Sequence, residues 1–147
     1  MSFRFALDPL LRLRRSLERQ RILVLQKANL EVARAQDAMA QLERYLRASD
    51  RAEAEGWRGG RSAAELQFTL ALRENLLRVQ RELRADLRRL EGVRQKAVGE
   101  YHQAYREREI LESLRARQRR TYEQEQSRQE QQELDAAHLL QRWHRRG

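Results

Sequence analysis

The stretch from Gly56 to Ser62 restricts the fold more than any other part of this sequence. It holds three glycines in five residues, and a glycine inside a helix costs roughly 1 kcal/mol relative to alanine. Ser62 then begins a capping box, in which its hydroxyl accepts from the amide of Glu65 and the Glu65 carboxylate reaches back to the Ser62 amide. The stretch therefore predicts a break between two helices.

Long helices are expected on both sides of this break. Asp8 is an acceptable N-cap, and Pro9 suits the first helical position, where no amide is needed. No further glycine or proline precedes the break. We predict a single coiled-coil domain over residues 1–147, with helix 1 over about 9–55, a hinge over 56–61 and helix 2 over about 62–142.

Apolar residues recur at steps of three and four in both segments, which is the pattern of a coiled-coil seam. The first seam includes two successive steps of four, an insertion that relaxes the supercoil locally. The predicted seam of helix 1 is Leu10, Leu13, Leu17, Gln20, Val24, Ala28, Val32, Ala35, Met39, Leu42 and Leu46. The predicted seam of helix 2 is Leu72, Leu76, Val79, Leu83, Asp86, Leu90, Val93, Ala97, Glu100, Ala104, Glu107, Leu111 and Leu114.

A break of this kind lets the second helix fold back on the first. Antiparallel pairing about the break places Leu10 opposite residues 104–106, and it places Phe3 and Phe5 near residues 111–113. Residues after about Leu114 then have no partner in helix 1, and their composition is accordingly rich in Arg, Gln and Glu. The predicted fold class is all-α: a long antiparallel two-helix coiled-coil hairpin with the second helix overhanging.

The composition excludes several classes of protein. The 147 residues include no cysteine, so there is no disulfide framework, and no apolar run has the length of a transmembrane helix. The N-terminus lacks the apolar region of a secretory signal. We therefore expect a cytoplasmic protein.

No constellation of residues for catalysis or metal binding is present. Gly59–Ser62 superficially resembles part of a phosphate-binding loop, but it follows a helix and has arginine in place of lysine. His102, His138 and His144 lack the spacing of metal ligands. We predict that the protein is not an enzyme and that it binds no cofactor, metal or small-molecule ligand.

The net charge of +9, from 31 basic and 22 acidic residues, is compatible with a nucleic-acid partner. Arginine and glutamate are interspersed almost throughout, however, which is typical of the solvated faces of a coiled coil. The apolar face of residues 3–17 would suit a membrane surface, but the seam explains it equally. We expect no nucleic-acid partner, and a basic nucleic-acid-binding helical protein is the least favoured alternative.

Several segments together carry a resemblance to a known family. They are the opening Phe3–Arg14, the long helix to Tyr45, the glycine-rich break, and the segments Phe68–Glu74, Arg106–Leu114 and Gln132–Asp135. Their order and spacing resemble those of the FliJ family of flagellar type III export proteins, to which the stalk proteins of virulence secretion systems are related. The resemblance covers nearly the full length.

The resemblance implies a non-enzymatic stalk of the bacterial flagellar export apparatus. Such a protein inserts into the hexameric ring of a FliI-like export ATPase, promotes its assembly, couples it to an FlhA-like export gate protein and contacts export chaperones. It implies a cytoplasmic location, peripheral on the inner membrane at the flagellar base. The ring-insertion end falls on Phe3, Phe5, Leu10, Leu111 and Leu114, and the gate contact falls on Leu42, Tyr45, Phe68 and Leu72.

Two alternatives stay open at this point: a generic coiled-coil scaffold and a virulence secretion stalk. For the gate contact, the predicted antiparallel pairing places the four residues near one another, but Leu42 and Leu72 are equally explained as seam residues. Tyr45 and Phe68 lie just off the predicted seam, so they are the stronger candidates for an exposed contact.

Overall fold

The computed structural model describes residues 2–147 and contains two helices, α1 (Asp8–Gly59) and α2 (Ala63–Arg146). No strand occurs within residues 2–147. The two helices pack against each other, which confirms the predicted all-α helical hairpin.

Helix α1 begins at Asp8, one residue before the predicted start, so Asp8 is its first residue instead of its N-cap. The Asp8 amide donates to the Phe5 carbonyl at 3.1 Å, and the Leu11 amide donates to the Leu7 carbonyl at 2.9 Å. The Asp8 carboxylate also lies 3.5 Å from the Arg12 guanidinium, one turn further along. An acidic residue here suits the partial positive charge of the helix N-terminus.

The turn between the helices is shorter than predicted, because α1 continues through Gly56 to Gly59 instead of ending at residue 55. Glycine lowers helix propensity without ending a helix. The chain leaves the helix at Gly60, whose φ of 78° is the left-handed conformation that favours glycine. The Ser62 hydroxyl accepts from the Glu65 amide at 3.3 Å, so Ser62 caps α2 as predicted. At its other end α2 reaches Arg146, beyond the predicted end near residue 142.

Arg61 ties the two sides of the turn together. Its guanidinium donates to the Ala52 carbonyl of α1 at 3.4 Å and to the Thr69 hydroxyl of α2 at 3.5 Å. On the way it crosses Gly56, where a β-carbon would collide with it. The last turns of α1 are therefore held by a side chain from the loop, although their own residues are weak helix formers.

The residues divide into two compact units. The terminal unit comprises the chain up to Arg19 together with His102–Gly147, and the central unit comprises Gln20–Tyr101. In the terminal unit, Phe5, Leu11 and Leu111 form a buried cluster, against which Phe3 and Leu114 pack. The Phe3 ring also lies 5.7 Å from the Tyr122 ring, centroid to centroid.

The central unit is built on smaller side chains. Its buried residues are Ala28, Val32 and Met39 from α1 and Ala97 from α2. All four are predicted seam positions, and the neighbouring positions Ala35, Leu42 and Leu46 are half-buried as well. The predicted seam of helix 1 is therefore confirmed from Ala28 onward.

Before Ala28 the predicted seam of helix 1 is wrong by one residue at every position except Leu17, which is half-buried beside Glu18. Leu10, Leu13, Gln20 and Val24 are exposed, whereas Leu11 is fully buried. The positions that face α2 are Leu11, Arg14, Glu18, Arg21, Leu25 and Ala28, and they continue the later seam in unbroken steps of three and four. The predicted insertion does not exist. Three of the true seam positions, Arg14, Glu18 and Arg21, carry charged side chains, so the apolar pattern alone does not reveal them.

In α2 the predicted seam is confirmed at most positions, including Glu100, Glu107 and Leu114, which are half-buried. Four predicted positions before residue 97 are wrong by one residue. The other confirmed positions are half-buried or buried: Leu76, Leu83, Leu90, Ala97, Ala104 and Leu111. Leu72, Val79, Asp86 and Val93 are exposed, and the residue that follows each of them is half-buried instead. These half-buried residues are Arg73, Gln80, Leu87 and Arg94, so the second layer of the seam is largely polar.

The pairing of the two helices differs from the predicted one by about seven residues, or two helical turns. Leu11 clusters with Leu111, whereas we expected Leu10 to face residues 104–106. The longer α1 explains the difference, since it moves the turn from the predicted hinge to Gly60. A shift of one heptad keeps the same seam face, so the confirmed seam positions survive it. Phe3 consequently reaches Tyr122, and the unpaired part of α2 begins after that residue instead of after Leu114.

Candidate functional site

The residues predicted for the ring-insertion end all lie in the terminal unit, and the structure brings four of them together. Phe5 and Leu111 belong to the buried cluster, and Phe3 and Leu114 pack on it. Leu10 points away from the seam and is exposed. The four clustered residues therefore hold the start of α1 against α2, and they offer little surface to a partner.

A cluster of ion pairs continues this packing along the seam. Arg14 and Arg15 of α1 donate to Glu107 and Glu112 of α2, at 2.6 and 2.7 Å. Arg108 of α2 forms an ion pair with Glu18 of α1 and also lies 4.0 Å from Glu112. We call these six residues the ion-pair cluster: Arg14, Arg15, Glu18, Glu107, Arg108 and Glu112. Each of the six takes part in an ion pair between α1 and α2, so the cluster fixes the register of the two helices as well as holding them together.

Glu18 and Arg108 form the most enclosed pair of this cluster. Their side chains are 13% and 20% exposed, respectively. The hydrogen bond from Arg108 to Glu18 raises the pKa of Arg108, while partial desolvation opposes that effect. Arg108 also lies over the Tyr105 ring, with 5.1 Å from its guanidinium carbon to the ring centroid. The arginine is thus fully charged and is held by a carboxylate and an aromatic face at once.

Exposed apolar side chains surround the buried cluster of the terminal unit. Leu13 of α1 is 53% exposed and Ile110 of α2 is 67% exposed. A shallow groove runs along the outer face of α2 at this level, lined by Tyr105, Arg106, Glu109, Ile110, Ser113, Leu114 and Arg117. This surface combines aliphatic side chains with arginines, a composition that suits a protein partner.

The residues predicted for the gate contact all lie in the central unit. Tyr45 and Phe68 are 55% and 71% exposed. Leu72 is 38% exposed, and Leu42 is half-buried in the seam. Phe68 borders a surface depression with Arg61, Ala64, Glu65 and Thr69. The two aromatic rings are accordingly available to a partner.

The expected proximity of Tyr45 and Phe68 is not found, because the pairing is shifted. Arg73 forms an ion pair with Asp50 and lies 3.8 Å from Glu53. Phe68 is five residues nearer the turn than Arg73 and so lies at the level of residue 55 or beyond. At about 1.5 Å per residue, roughly 15 Å along the helices separates it from Tyr45. A partner that contacts both must span that distance.

The C-terminal part of α2 is a third region with exposed apolar side chains. Every residue from 127 onward is exposed. Leu134, Leu139, Leu140 and Trp143 are each more than 60% exposed. We call residues 127–147 the tail.

The ion-pair cluster was missed by sequence reasoning, although a signal for it exists. Leu87 and Tyr101 stand one residue beyond the predicted seam positions Asp86 and Glu100. Arg73, Arg94 and Arg108 stand at the same heptad position as those two. If arginine is accepted as a possible seam residue, the sequence predicts this heptad position of α2 as part of the seam.

Two searches of the described residues bear on other functions. Within residues 2–147, no three side chains of the types that ligate metals lie together. Neither α1 nor α2 has a segment apolar enough to cross a lipid bilayer.

Comparison with known proteins identifies a family. A family model described as "Flagellar FliJ protein" matches residues 3–147, which is essentially the whole chain. No curated protein and no solved structure is significantly similar to the chain.

Proposed function

Since the chain belongs to the FliJ family of flagellar proteins, we propose that it acts in flagellar protein export as a non-enzymatic stalk. In this role the terminal unit enters the ring of a FliI-like export ATPase and promotes assembly of that ring. The central unit contacts an FlhA-like export gate protein. The single observation that carries the proposal is that a buried apolar cluster and cross-helix ion pairs together hold α1 against α2 in the terminal unit.

A segment that works inside a ring must keep both of its helices paired while it is pushed from the side. In the terminal unit a buried cluster and cross-helix ion pairs both act against separation of α1 and α2. Three carboxylates and three guanidinium groups interlock in the ion-pair cluster, so breaking one pair leaves others in place. This construction supports the proposal that the terminal unit is the end that enters the ring.

The exposed surface of the terminal unit supplies the contact with the ring. Leu13 and Ile110 project from α1 and α2 beside exposed arginines such as Arg106 and Arg117. Aliphatic side chains give contact area, and arginines are enriched at protein interfaces because they pair with carboxylates and backbone carbonyls. We place the ring contact on this surface, with Phe3, Phe5 and Leu111 as its internal support.

The gate contact is assigned to Tyr45 and Phe68. Both rings are mostly exposed, and large aromatic side chains are the commonest anchors of protein interfaces. Leu72 lies at the margin of this surface, and Leu42 lies beneath it in the seam. The family membership also suggests contacts with export chaperones and a position on the cytoplasmic face of the inner membrane at the flagellar base.

The stalk role is tested by mixing the purified protein with the export ATPase of its organism and a non-hydrolysable nucleotide. Light scattering is expected to show that the protein drives the ATPase into hexamers. The double variant Leu13→Glu, Ile110→Glu should lose at least tenfold in potency, because it puts two charges on the proposed contact. Leu23→Glu is the matched control, since Leu23 is 64% exposed on α1 in the central unit. A double variant as potent as the control would refute the assignment of the ring contact.

The gate contact is tested by pull-down with the cytoplasmic domain of the gate protein. Alanine at both Tyr45 and Phe68 is expected to weaken capture severalfold, while circular dichroism at 222 nm stays unchanged because both side chains are exposed. Leu30→Ala is the control, since Leu30 is 50% exposed on α1 of the same unit. Undiminished capture by the double alanine variant would exclude these residues from the contact.

A further inference from the structure

The seam of α2 does not end where α1 ends. Steps of three and four from Leu111 lead through Arg115, Gln118 and Tyr122 to Ala136, Leu139 and Trp143 in the tail. The positions between them are Glu125, Gln129 and Gln132. The face of α2 that binds α1 is thus polar for about three turns and then apolar again. Leu140 flanks the new apolar positions.

No segment within residues 2–147 covers this second apolar stretch. Phe3 is the start of the packed segment and reaches Tyr122. Leu139, Leu140 and Trp143 are 65%, 62% and 82% exposed. Leu139 and Trp143 are large apolar side chains in register with an existing helix–helix interface, and Leu140 lies beside them, so this face calls for another helix.

Charges in the tail are sorted along its length. Glu130, Glu133 and Asp135 precede the apolar stretch, and Arg142, Arg145 and Arg146 accompany and follow it. Arg128 also lies in the tail, but its guanidinium donates to Glu125 on the same helix at 2.7 Å. An antiparallel copy of the same segment brings the acidic part of each tail beside the basic part of the other. A parallel copy places like charges side by side, which is unfavourable.

We propose that the tails of two copies of this chain pair antiparallel, continuing the seam that α2 forms with α1. Within the chain, Leu11 of α1 packs with Leu111 of α2. Leu11 is the first residue of a three-residue step along its seam, and Leu111 is the second residue of such a step, so first and second residues face each other across the two helices. The same rule in the tails places Ala136 of one copy opposite Leu139 of the other, and Trp143 opposite Gln132. It also places Asp135 beside Arg142 on both sides of the pair.

The charges of the tail favour this antiparallel register over others. The other register that aligns seam positions places Leu139 opposite Trp143, but it brings the two Arg142 side chains together. An anionic lipid surface would attract the arginines of the tail, but it would repel Glu130, Glu133 and Asp135 in the same segment of α2. The charge pattern therefore fits a second tail better than a lipid surface.

The pairing is expected to be weak. Specific complexes typically bury about 800 Å² on each partner, and a paired helical segment of about 15 residues extends only about 22 Å. We expect a dimer that forms at micromolar or higher concentrations. The tail belongs to the terminal unit, but the pairing is tested on the purified protein alone, so its failure is distinguishable from failure of the stalk role.

Analytical ultracentrifugation of the full-length protein over a concentration series tests it. The wild-type chain is expected to show a concentration-dependent dimer. Leu139→Gln with Trp143→Gln should weaken dimerisation at least tenfold, whereas Leu30→Gln on α1 should leave it unchanged. A wild-type chain that is monomeric at all concentrations, or a tail variant that dimerises as well as the wild type, would overturn the proposal.

Charge exchange tests the antiparallel register directly. Asp135→Arg and Arg142→Asp should each weaken self-association at least tenfold, because each sets like charges against each other twice. An equimolar mixture of the two variants should regain wild-type association, because only the mixed pair matches opposite charges at both sites. A mixture no better than its components would overturn the register. Binding of monomeric wild-type protein to vesicles containing phosphatidylglycerol, without any dimer, would assign the face to lipid instead.

Discussion

The terminal and central units build the same seam from different side chains, and the difference shows which part resists separation of the helices. The terminal unit buries Phe5, Leu11 and Leu111 and adds the ion-pair cluster. The central unit buries Ala28, Val32, Met39 and Ala97, of which only Met39 is large. Burial stabilises in proportion to the apolar area removed from water, so alanine and valine contribute less per layer than leucine and phenylalanine. We infer that local opening begins in the central unit.

The largest expected effect is at Leu11, the residue with no exposed surface. Leu11→Ala should lower the free energy of unfolding by about 3 kcal/mol, because it leaves a cavity in the terminal cluster. Val32→Ala, its counterpart in the central unit, should cost about 1 kcal/mol, since fewer buried atoms are removed. Urea denaturation followed at 222 nm measures both. The comparison of the two units fails if Val32→Ala is as costly as Leu11→Ala.

A smaller effect is expected in the ion-pair cluster. Glu18→Gln should cost about 1–2 kcal/mol, because it leaves Arg108 without its enclosed carboxylate. High salt should change the stability of the variant less than that of the wild type. Denaturation in low and high sodium chloride provides the measurement.

The matched control for Glu18→Gln is Glu125→Gln. The Glu125 carboxylate accepts from Arg128 one turn away, and this hydrogen bond lowers the pKa of Glu125. The pair is exposed to solvent on one helix, so its loss should leave unfolding unchanged. Equal losses in the two variants would mean that the cross-helix position of Glu18 adds nothing.

The smallest expected effect is a gain in the central unit. Gly92 lies within α2, and a β-carbon there meets no atom within 4 Å. Gly92→Ala should therefore add about 0.5–1 kcal/mol to the free energy of unfolding, since alanine favours the helix. Gly60→Ala should do the opposite, because Gly60 has a φ of 78°. Thermal unfolding of the two variants measures both signs, and a destabilised Gly92→Ala would contradict the observed open space.

The parts of the fold that depend on local chemistry were predictable from the sequence. Asp8 with Pro9, and Ser62 with Glu65, mark the starts of the two helices, and the glycines mark the turn between them. These signals act over one turn of helix, so they can be recognised without knowledge of the partner segment.

The register of the seam was less predictable, because it depends on which residues meet across the helices. Leu10 and Leu13 are better apolar candidates than Arg14 and Glu18 when α1 is considered alone. Glu107 and Arg108 of α2 make the charged positions suitable for the seam. That partnership follows only once the pairing is known, and the pairing depends on α1 reaching Gly59. The proximity expected for Tyr45 and Phe68 was wrong for the same reason.

The uninterrupted alternation of three and four residues along both helices has a consequence for how such chains can change length. Deleting a few residues from one helix rotates everything beyond the deletion off the seam. Deleting one heptad from each helix at the same level keeps every remaining layer matched. Relatives should therefore gain or lose paired segments in steps of about fourteen residues, divided equally between α1 and α2. The tail packs against no other segment of residues 2–147, so its length is free of this constraint.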